Sequence, residues 1–319
     1  MNSITMVRGI TVGQAENREG VTGCTVILCD PMAVAGIDVR GGGVSTRQID
    51  SLIASYHVVN FVNAIFLTGG SAFGLDATSG VMRYLEEKGK GFSTSMGPIP
   101  IVPTAVIYDL GLGRKEVRPD AEMSYQACIK ATAGMVEEGS VGVGCGASVG
   151  KLYGISRAMK GGVGTAGIRT GELVIGALVV VNAFGDVVDS ENGKVLAGLR
   201  DSEKGVTLVN TAKEMEIITP SQVKQCESTV ITLVATNANL TRAEASHVAR
   251  MVSGTLGRSI SPVHTQFDGD IVFVLSLGKV TMDINRVGIV GGEVVSEAIK
   301  RAVKKADGLG LIPAWKDIS

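Results

Sequence analysis

Aromatic side chains make up only 4% of this 319-residue chain, and neither sign of charge is in excess: 30 Lys and Arg stand against 31 Asp and Glu, a net charge of -1. Without a basic surface nothing draws phosphates over a distance, so nucleic acid and anionic membrane are excluded as natural partners. Residues 1–10 carry no basic stretch followed by an apolar run, and the longest apolar segments, such as 173–184, are too short to cross a bilayer. A cytoplasmic location is therefore expected. The five cysteines, Cys24, Cys29, Cys128, Cys145 and Cys226, are odd in number and lack CxxC spacing. That argues against a disulfide framework and against structural zinc, and buried free thiols are expected. Histidine occurs three times, at His57, His247 and His264, with no paired-ligand spacing around any of them.

What the chain does have is a hydrophobic fraction of 45% and 43 glycines, enough for a large core with many tight turns in one compact domain over residues 1–319. Strand and helix signals interleave from the start. Short apolar runs at 21–28 and 64–68 read as strands, and 45–61 and 75–89 have the spacing of helices. Residues 120–138 read as a helix opened by an Asp cap and closed by Gly139, followed by a glycine-rich reach over 141–167. Residues 173–183 and 186–189 read as a strand pair joined by a Phe184-Gly185 turn, and 194–220 as a polar, exposed connector. Beyond it the pattern gives a strand at 230–236, a helix at 241–256 with a Thr-x-x-Glu capping box, a strand at 271–277 and a helix at 291–306.

Two motif fragments fail on inspection. Gly146-Ala147-Ser148-Val149-Gly150-Lys151-Leu152 has three residues between its glycines where a phosphate-binding loop needs four, and Leu152 replaces the magnesium-binding hydroxyl. Gly69-Gly70-Ser71-Ala72-Phe73 places Phe73 where a nucleophile elbow needs glycine. A third stretch is more informative: in Cys226-Glu227-Ser228-Thr229-Val230-Ile231-Thr232-Leu233-Val234-Ala235-Thr236-Asn237-Ala238 a Thr stands at the mouth of an apolar run. A threonine hydroxyl is a weak nucleophile at neutral pH, but cleavage of the peptide before it frees an α-amine that can serve as its base. The plainer reading is a buried strand of β-branched residues. Thr229 can be grouped with Lys151, Asn182 and the pair Asp268-Gly269-Asp270, each of which also has a plainer reading as a surface lysine, a turn residue and a solvated hairpin.

At these residues the chain resembles, over nearly its whole length, the L-aminopeptidase/D-esterase family, which also contains the β-aminopeptidases and the nylon-oligomer (6-aminohexanoate-oligomer) hydrolases. The resemblance runs through Ile10-Thr11-Val12-Gly13, Gly23-Cys24-Thr25-Val26, Val39-Arg40-Gly41-Gly42 with Thr46-Arg47, Leu67-Thr68-Gly69-Gly70-Ser71-Ala72-Phe73-Gly74-Leu75, Pro100-Ile101-Val102-Pro103, Gly146 to Lys151, Val179-Val180-Val181-Asn182-Ala183 and Val234-Ala235-Thr236-Asn237. It implies a four-layer α/β/β/α sandwich, similar in layering and mechanism to N-terminal-nucleophile hydrolases. It also implies a precursor that cuts itself between Ser228 and Thr229 into an α chain, 1–228, and a β chain, 229–319. Ser228 departs from the family, whose residue before the nucleophile is usually Asn or Gly.

The resemblance further implies hydrolysis of short peptides, aminoacyl amides or ω-amino acid oligomers through a Thr229 acyl-enzyme, no cofactor, and a homo-oligomer of αβ units, commonly a tetramer. Asn182 matches an oxyanion donor, Lys151 a cation that favours the free amine of Thr229, and Asp268 with Asp270 the pair that orients that amine and can bind a substrate ammonium. Tyr125 falls where the family places a tyrosine reaching into the site. Two alternatives stand beside this reading: an acyltransferase of the related autoprocessed fold, and a non-catalytic binding relative.

Overall fold

The computed structural model describes residues 2–54, 56–224 and 227–318. Its principal strands are β1 (Ile10–Asn17), β2 (Thr22–Val39), β3 (Phe61–Thr68), β4 (Thr104–Val106), β5 (Gly162–Thr170), β6 (Leu173–Asn182), β7 (Thr229–Ala238) and β8 (Ile271–Val280). Its principal helices are α1 (Thr78–Glu87), α2 (Ala121–Ile129), α3 (Arg242–Leu256) and α4 (Ile284–Lys304). The strands are hydrogen-bonded in the order β5-β6-β7-β8-β2-β3-β4, with β1 also on β2. Two of these pairs, β7 with β8 and β3 with β4, are parallel. The first of them needs a crossover, which contains α3.

This one ladder makes two facing sheets because β2 is long and interrupted. Its register against β3 slips between Leu28 and Ala33, where Asp30, Pro31 and Met32 stand exposed and Pro31 has no N–H to give the ladder. Ahead of the slip β2 pairs with β1, and beyond it with β8.

Alternation along the strands then builds the layers. In β6, Ile175, Ala177, Val179 and Val181 pack with Val248 and Val252 of α3 and Val295 and Ile299 of α4. The intervening Val174, Leu178 and Val180 face the other sheet, among Ile27, Ile65 and Leu67. On the far side of that sheet Val26, Ala64 and Phe66 meet Val81 and Leu85 of α1 and Ala127 and Cys128 of α2. Helices, sheet, sheet, helices is the four-layer α/β/β/α order expected.

Several local expectations are corrected. Residues 45–61 are not one helix: Thr46–Arg47 pairs with β4, Gln48 turns the chain at φ 58°, and only Asp50–Ile53 is helical, with Ser55 outside the described residues. Leu52 and Val59 alone of its apolar residues between 52 and 59 are core, while Ile53, Tyr56 and Val58 are exposed, so the apolar spacing does not define a helix face. The helix expected over 120–138 starts at its Asp120 cap but stops at Ile129, because Thr132 exchanges two backbone hydrogen bonds with Val12 of β1. Asp186–Val188 does not fold back on β6. It pairs with Val195–Ala197 and Ile260–Ser261, since the turn residues are committed elsewhere: Phe184 N–H to Asp268 and Gly185 C=O to Gly150. Residues 194–220 are more than an exposed connector, for they include a helix over Thr211–Ile217 and the buried Arg200, whose guanidinium donates to four carbonyls. The glycine-rich reach hides the start of β5.

Candidate active site

The site forms where β6 ends and β7 begins. In their antiparallel register Asn182 lies directly opposite Thr229. Both share the parity of the residues that face the second sheet, Leu178 and Val180 in β6 and Ile231 and Leu233 in β7, so their side chains are neighbours on one face. The strands deliver both residues into the interior, with Asn182 fully buried and Thr229 7% exposed.

The Ser228–Thr229 peptide is closely held. The Thr229 hydroxyl donates to the carbonyl oxygen of Ser228 at 2.6 Å. The same oxygen accepts the backbone N–H of Gly269 at 2.7 Å, and the Ser228 N–H donates to Phe267 C=O at 2.9 Å. A main-chain donor thus already sits on the oxygen that would become negative if the hydroxyl attacked that carbonyl. Gly269 is the residue between the two aspartates, a role the sequence does not reveal.

The aspartates are braces rather than a solvated hairpin, each 1% exposed. Asp270 Oδ1 accepts the N–H of Val230, the residue after Thr229, at 2.8 Å, and its Oδ2 accepts the backbone N–H and faces the ring Nδ1 of His264 at 3.1 and 2.8 Å. Asp268 Oδ1 accepts Phe184 N–H at 3.2 Å, and its Oδ2 accepts both the N–H and the hydroxyl of Thr265 at 3.0 and 2.7 Å. Burial, helped by the charge of Asp270, raises the Asp268 carboxyl above the ordinary range. For His264, burial favours the neutral ring, but the bond to Asp270 and its charge outweigh that and raise the imidazole above its ordinary value. Gly41 is required where this loop meets the end of β2: its φ is +81°, and a Cβ there would lie 2.2 Å from the Asp268 carbonyl.

Lys151, far from a surface lysine, is 3% exposed. Its ammonium donates to the backbone and side-chain oxygens of Asn182, each at 3.0 Å, and to Glu227 C=O at 3.3 Å. Gly150 permits the inward turn, at φ +71° with a Cβ position 2.1 Å from the backbone of Gly198. The Asn182 amide is thereby fixed: Oδ1 also accepts Ser148 N–H at 3.1 Å, and Nδ2 donates to Tyr108 C=O at 3.1 Å. One of its two N–H bonds serves that contact.

Beside the scissile segment lies a cavity of about 130 Å³ lined by Tyr108, Asp109, Leu112, Ser148, Lys151 and Glu227, among others. The tyrosine at the site is therefore Tyr108, which sequence reasoning missed. Tyr125 is elsewhere: α2 belongs to an outer layer, and its phenol donates to Glu87 at 2.6 Å with Arg83 stacked on the ring. Burial pushes Asp109, in the cavity wall, up to about 6, despite hydrogen bonds from Thr22 and Gly70, and pushes Lys160 down to about 8. Cys24, Cys29, Cys128 and Cys145 are buried and free, and burial raises all four thiols; Cys226 lies outside the described residues. Among the described residues, no three His, Cys, Asp or Glu side chains converge as metal ligands would.

The fold is like that of the N-terminal-nucleophile hydrolases. It aligns with L-aminopeptidase D-Ala-esterase/amidase from Ochrobactrum anthropi, described as a variant of that hydrolase fold, with a TM-score of 0.70 at 21% identity over 96% of this chain and 86% of that one. A Burkholderia sp. β-aminopeptidase aligns with a TM-score of 0.69 at 21% identity, over 98% and 90% of the two chains. Residues 2–311 match peptidase family S58, and the chain belongs to that family. It is a hydrolase of peptide or amide bonds, as the resemblance led us to expect. An uncharacterized aminopeptidase of Mycobacterium leprae is 39% identical over 99% of this chain and 93% of its own length. A 6-aminohexanoate-oligomer endohydrolase of Kocuria sp. is 31% identical over 93% of this chain and 84% of its own.

Proposed function

We propose that the chain is a self-processing amidohydrolase whose nucleophile is Thr229. The observation that carries this reading is the Thr229 hydroxyl held 2.6 Å from the carbonyl oxygen of its own preceding peptide, while Gly269 N–H holds the same oxygen at 2.7 Å. Attack of Oγ1 on the Ser228 carbonyl carbon forms a C–O bond and puts negative charge on that oxygen. Collapse breaks the C–N bond as the hydroxyl proton passes to the departing nitrogen, leaving Thr229 with a free amine and Ser228 as an ester, which water hydrolyses to a carboxylate and the regenerated hydroxyl. Residues 1–228 and 229–319 are then the two chains of one unit.

In the matured site the acyl group of a substrate takes the place of Ser228, against the Gly269 N–H and the remaining Asn182 N–H. Its body lies in the cavity beside Tyr108 and Lys151. The Thr229 amine takes the proton of the hydroxyl, and the adjacent Lys151 ammonium favours the unprotonated amine. Asp270 holds the strand at Val230, and Asp268 holds the loop that presents Gly269. Water resolves the acyl-enzyme. The relatives' activities point to short peptides, aminoacyl amides or 6-aminohexanoate oligomers as substrates. We also propose a cytoplasmic tetramer of αβ units, to be checked by light scattering; none of the described helices is long and apolar enough to cross a membrane.

Thr229→Ala is expected to give a folded, uncut chain that leaves aminoacyl amides and 6-aminohexanoate oligomers intact. A Thr229→Ala protein that still splits and still hydrolyses them overturns the reading. Added acceptor amine is expected to leave the hydrolysis product of the wild type unchanged; an amide formed with that amine would instead identify a transferase.

A further inference from the structure

His264 takes no part in the chemistry above, yet it is joined to the scissile bond by a short chain of contacts. Its ring Nε2 lies 3.3 Å from Ser253 C=O on α3, and its Nδ1 lies 2.8 Å from Asp270 Oδ2. The other oxygen of Asp270 holds Val230 N–H at 2.8 Å, one residue past the scissile peptide. Both ring nitrogens therefore face acceptors. Neutral imidazole has one N–H and satisfies one of them; imidazolium satisfies both.

The backbone is arranged for the same purpose. His264 sits at φ +59°, a left-handed conformation that a residue with a Cβ rarely adopts. In that conformation its backbone N–H and its ring converge on the one Asp270 oxygen. Such local strain persists where surrounding contacts enforce it. The charged groups around the ring are Asp270, with Asp268 next to it on the same loop, and Arg40 from the end of β2, itself paired with Asp38 at 2.8 Å. From α3 the facing group is the uncharged Ser253 carbonyl.

We propose that His264 is a positioning residue for the Ser228–Thr229 bond: as imidazolium it locks the Asp270 carboxylate that holds Val230, so that self-cleavage proceeds only while His264 is protonated. The proposal rests on Thr229 being the self-cleaving nucleophile. Loss of one ring proton leaves either the Ser253 carbonyl or Asp270 Oδ2 facing a bare nitrogen lone pair; in either tautomer the tie from α3 through the ring to Asp270 is broken, which loosens the carboxylate that holds Val230 and with it the strand end. Self-cleavage is the reaction to follow, because the Thr229 amine that would govern the pH dependence of later turnover does not yet exist.

The test has two parts. Self-cleavage of wild type, His264→Gln and His264→Arg, each refolded at a series of pH values, is followed by intact mass, and circular dichroism checks that each chain folds. Separately, the His264 ring is titrated by NMR in the uncut Thr229→Ala chain, which keeps the native residue at 264 and so decides the matter if the Gln variant does not fold. We expect a wild-type rate that falls above the ring midpoint, with that midpoint above the ordinary histidine value of about 6.5. His264→Gln should cut about tenfold more slowly or worse, without the falling limb, and His264→Arg should keep cutting on the alkaline side. A folded His264→Gln chain with the wild-type rate and limb, or a ring that titrates at or below the ordinary value, overturns this proposal alone. A wild-type chain that is cut at no pH overturns the Thr229 reading and this proposal with it.

Discussion

Replacing Asn182 with Asp separates its catalytic work from its structural work. The buried amide oxygen accepts from Ser148 N–H and the Lys151 ammonium, and Nδ2 donates to Tyr108 C=O. Alanine would strip all three partners at once, at about 1–3 kcal/mol for each buried group left unpaired, a large part of a typical total stability of about 5–15 kcal/mol. Aspartate keeps the two acceptor contacts, the one to Lys151 becoming an ion pair, and replaces the bond to Tyr108 C=O with an oxygen–oxygen contact that has no proton between. The folding cost is then about 1–3 kcal/mol, a fall of several degrees in Tm. Catalysis loses much more, because the amide donor available to the oxyanion is gone and a negative charge stands in its place. Loss of one such donor costs about 2.7–4 kcal/mol, or about 10²–10³ in rate. The assay is the rate of self-cleavage by intact mass, then kcat and KM on an aminoacyl amide for whatever fraction matures, with a melting curve alongside. Both rates should fall by about that factor with KM little changed. A folded Asn182→Asp protein that cuts itself and turns over at the wild-type rate, or whose loss lies wholly in KM, refutes the oxyanion role.

Other expectations follow from the same geometry. Tyr125→Phe removes a phenol bonded to Glu87 on an outer helix, so turnover should be unchanged and stability shifted by less than about 0.5 kcal/mol; a large loss of kcat would return Tyr125 to the site. Asp109 carries a pH signature of its own. Its folded value of about 6 lies above the ordinary carboxylate value of 3.8, so the folded state binds more protons between the two. That contribution to stability is fully present below about pH 4 and is lost as pH rises through about 6, so Asp109→Asn should flatten the fall of Tm across that window in the uncut Thr229→Ala chain. An unchanged slope would place the titration elsewhere. Lys160, lowered to about 8 from 10.5, acts in the opposite sense: stability should rise with pH from about 8 to 10.5, and Lys160→Met should remove that rise. A Lys160→Met chain that keeps the rise would contradict the assignment.

Legibility in the sequence followed the reach of the interactions. The run from Val230 to Thr236 is β-branched and apolar, and it is a buried strand. Thr241 with Glu244 spelled a capping box and makes one. Lys151, Asn182, Asp268 and Asp270, named from the chain and its family resemblance, lie around Thr229 because β6 pairs with β7 in the register that sets Asn182 against it. Non-local choices were not legible. The partner of β6 is a glycine-rich strand whose alternation is diluted, and Asp186–Val188 joins a different small sheet, which no local turn signal announces. The N–H of Gly269 is a main-chain donor with no side-chain signature. His264 acquires its partner through a left-handed turn that a lone histidine does not advertise, and Tyr125 is suggested by the family resemblance alone, whereas only tertiary contact shows that Tyr108 lines the cavity and Tyr125 sits among Glu87 and Arg83 on an outer helix.

The central claim, that this chain makes its own nucleophile, is tested most directly by the denatured intact mass of freshly purified wild-type protein, together with sequencing of any new N-terminus. The account predicts two chains, 1–228 and 229–319, with Thr229 leading the smaller one. A single full-length chain that nevertheless hydrolyses amide substrates, or a cut at any other bond, would contradict it.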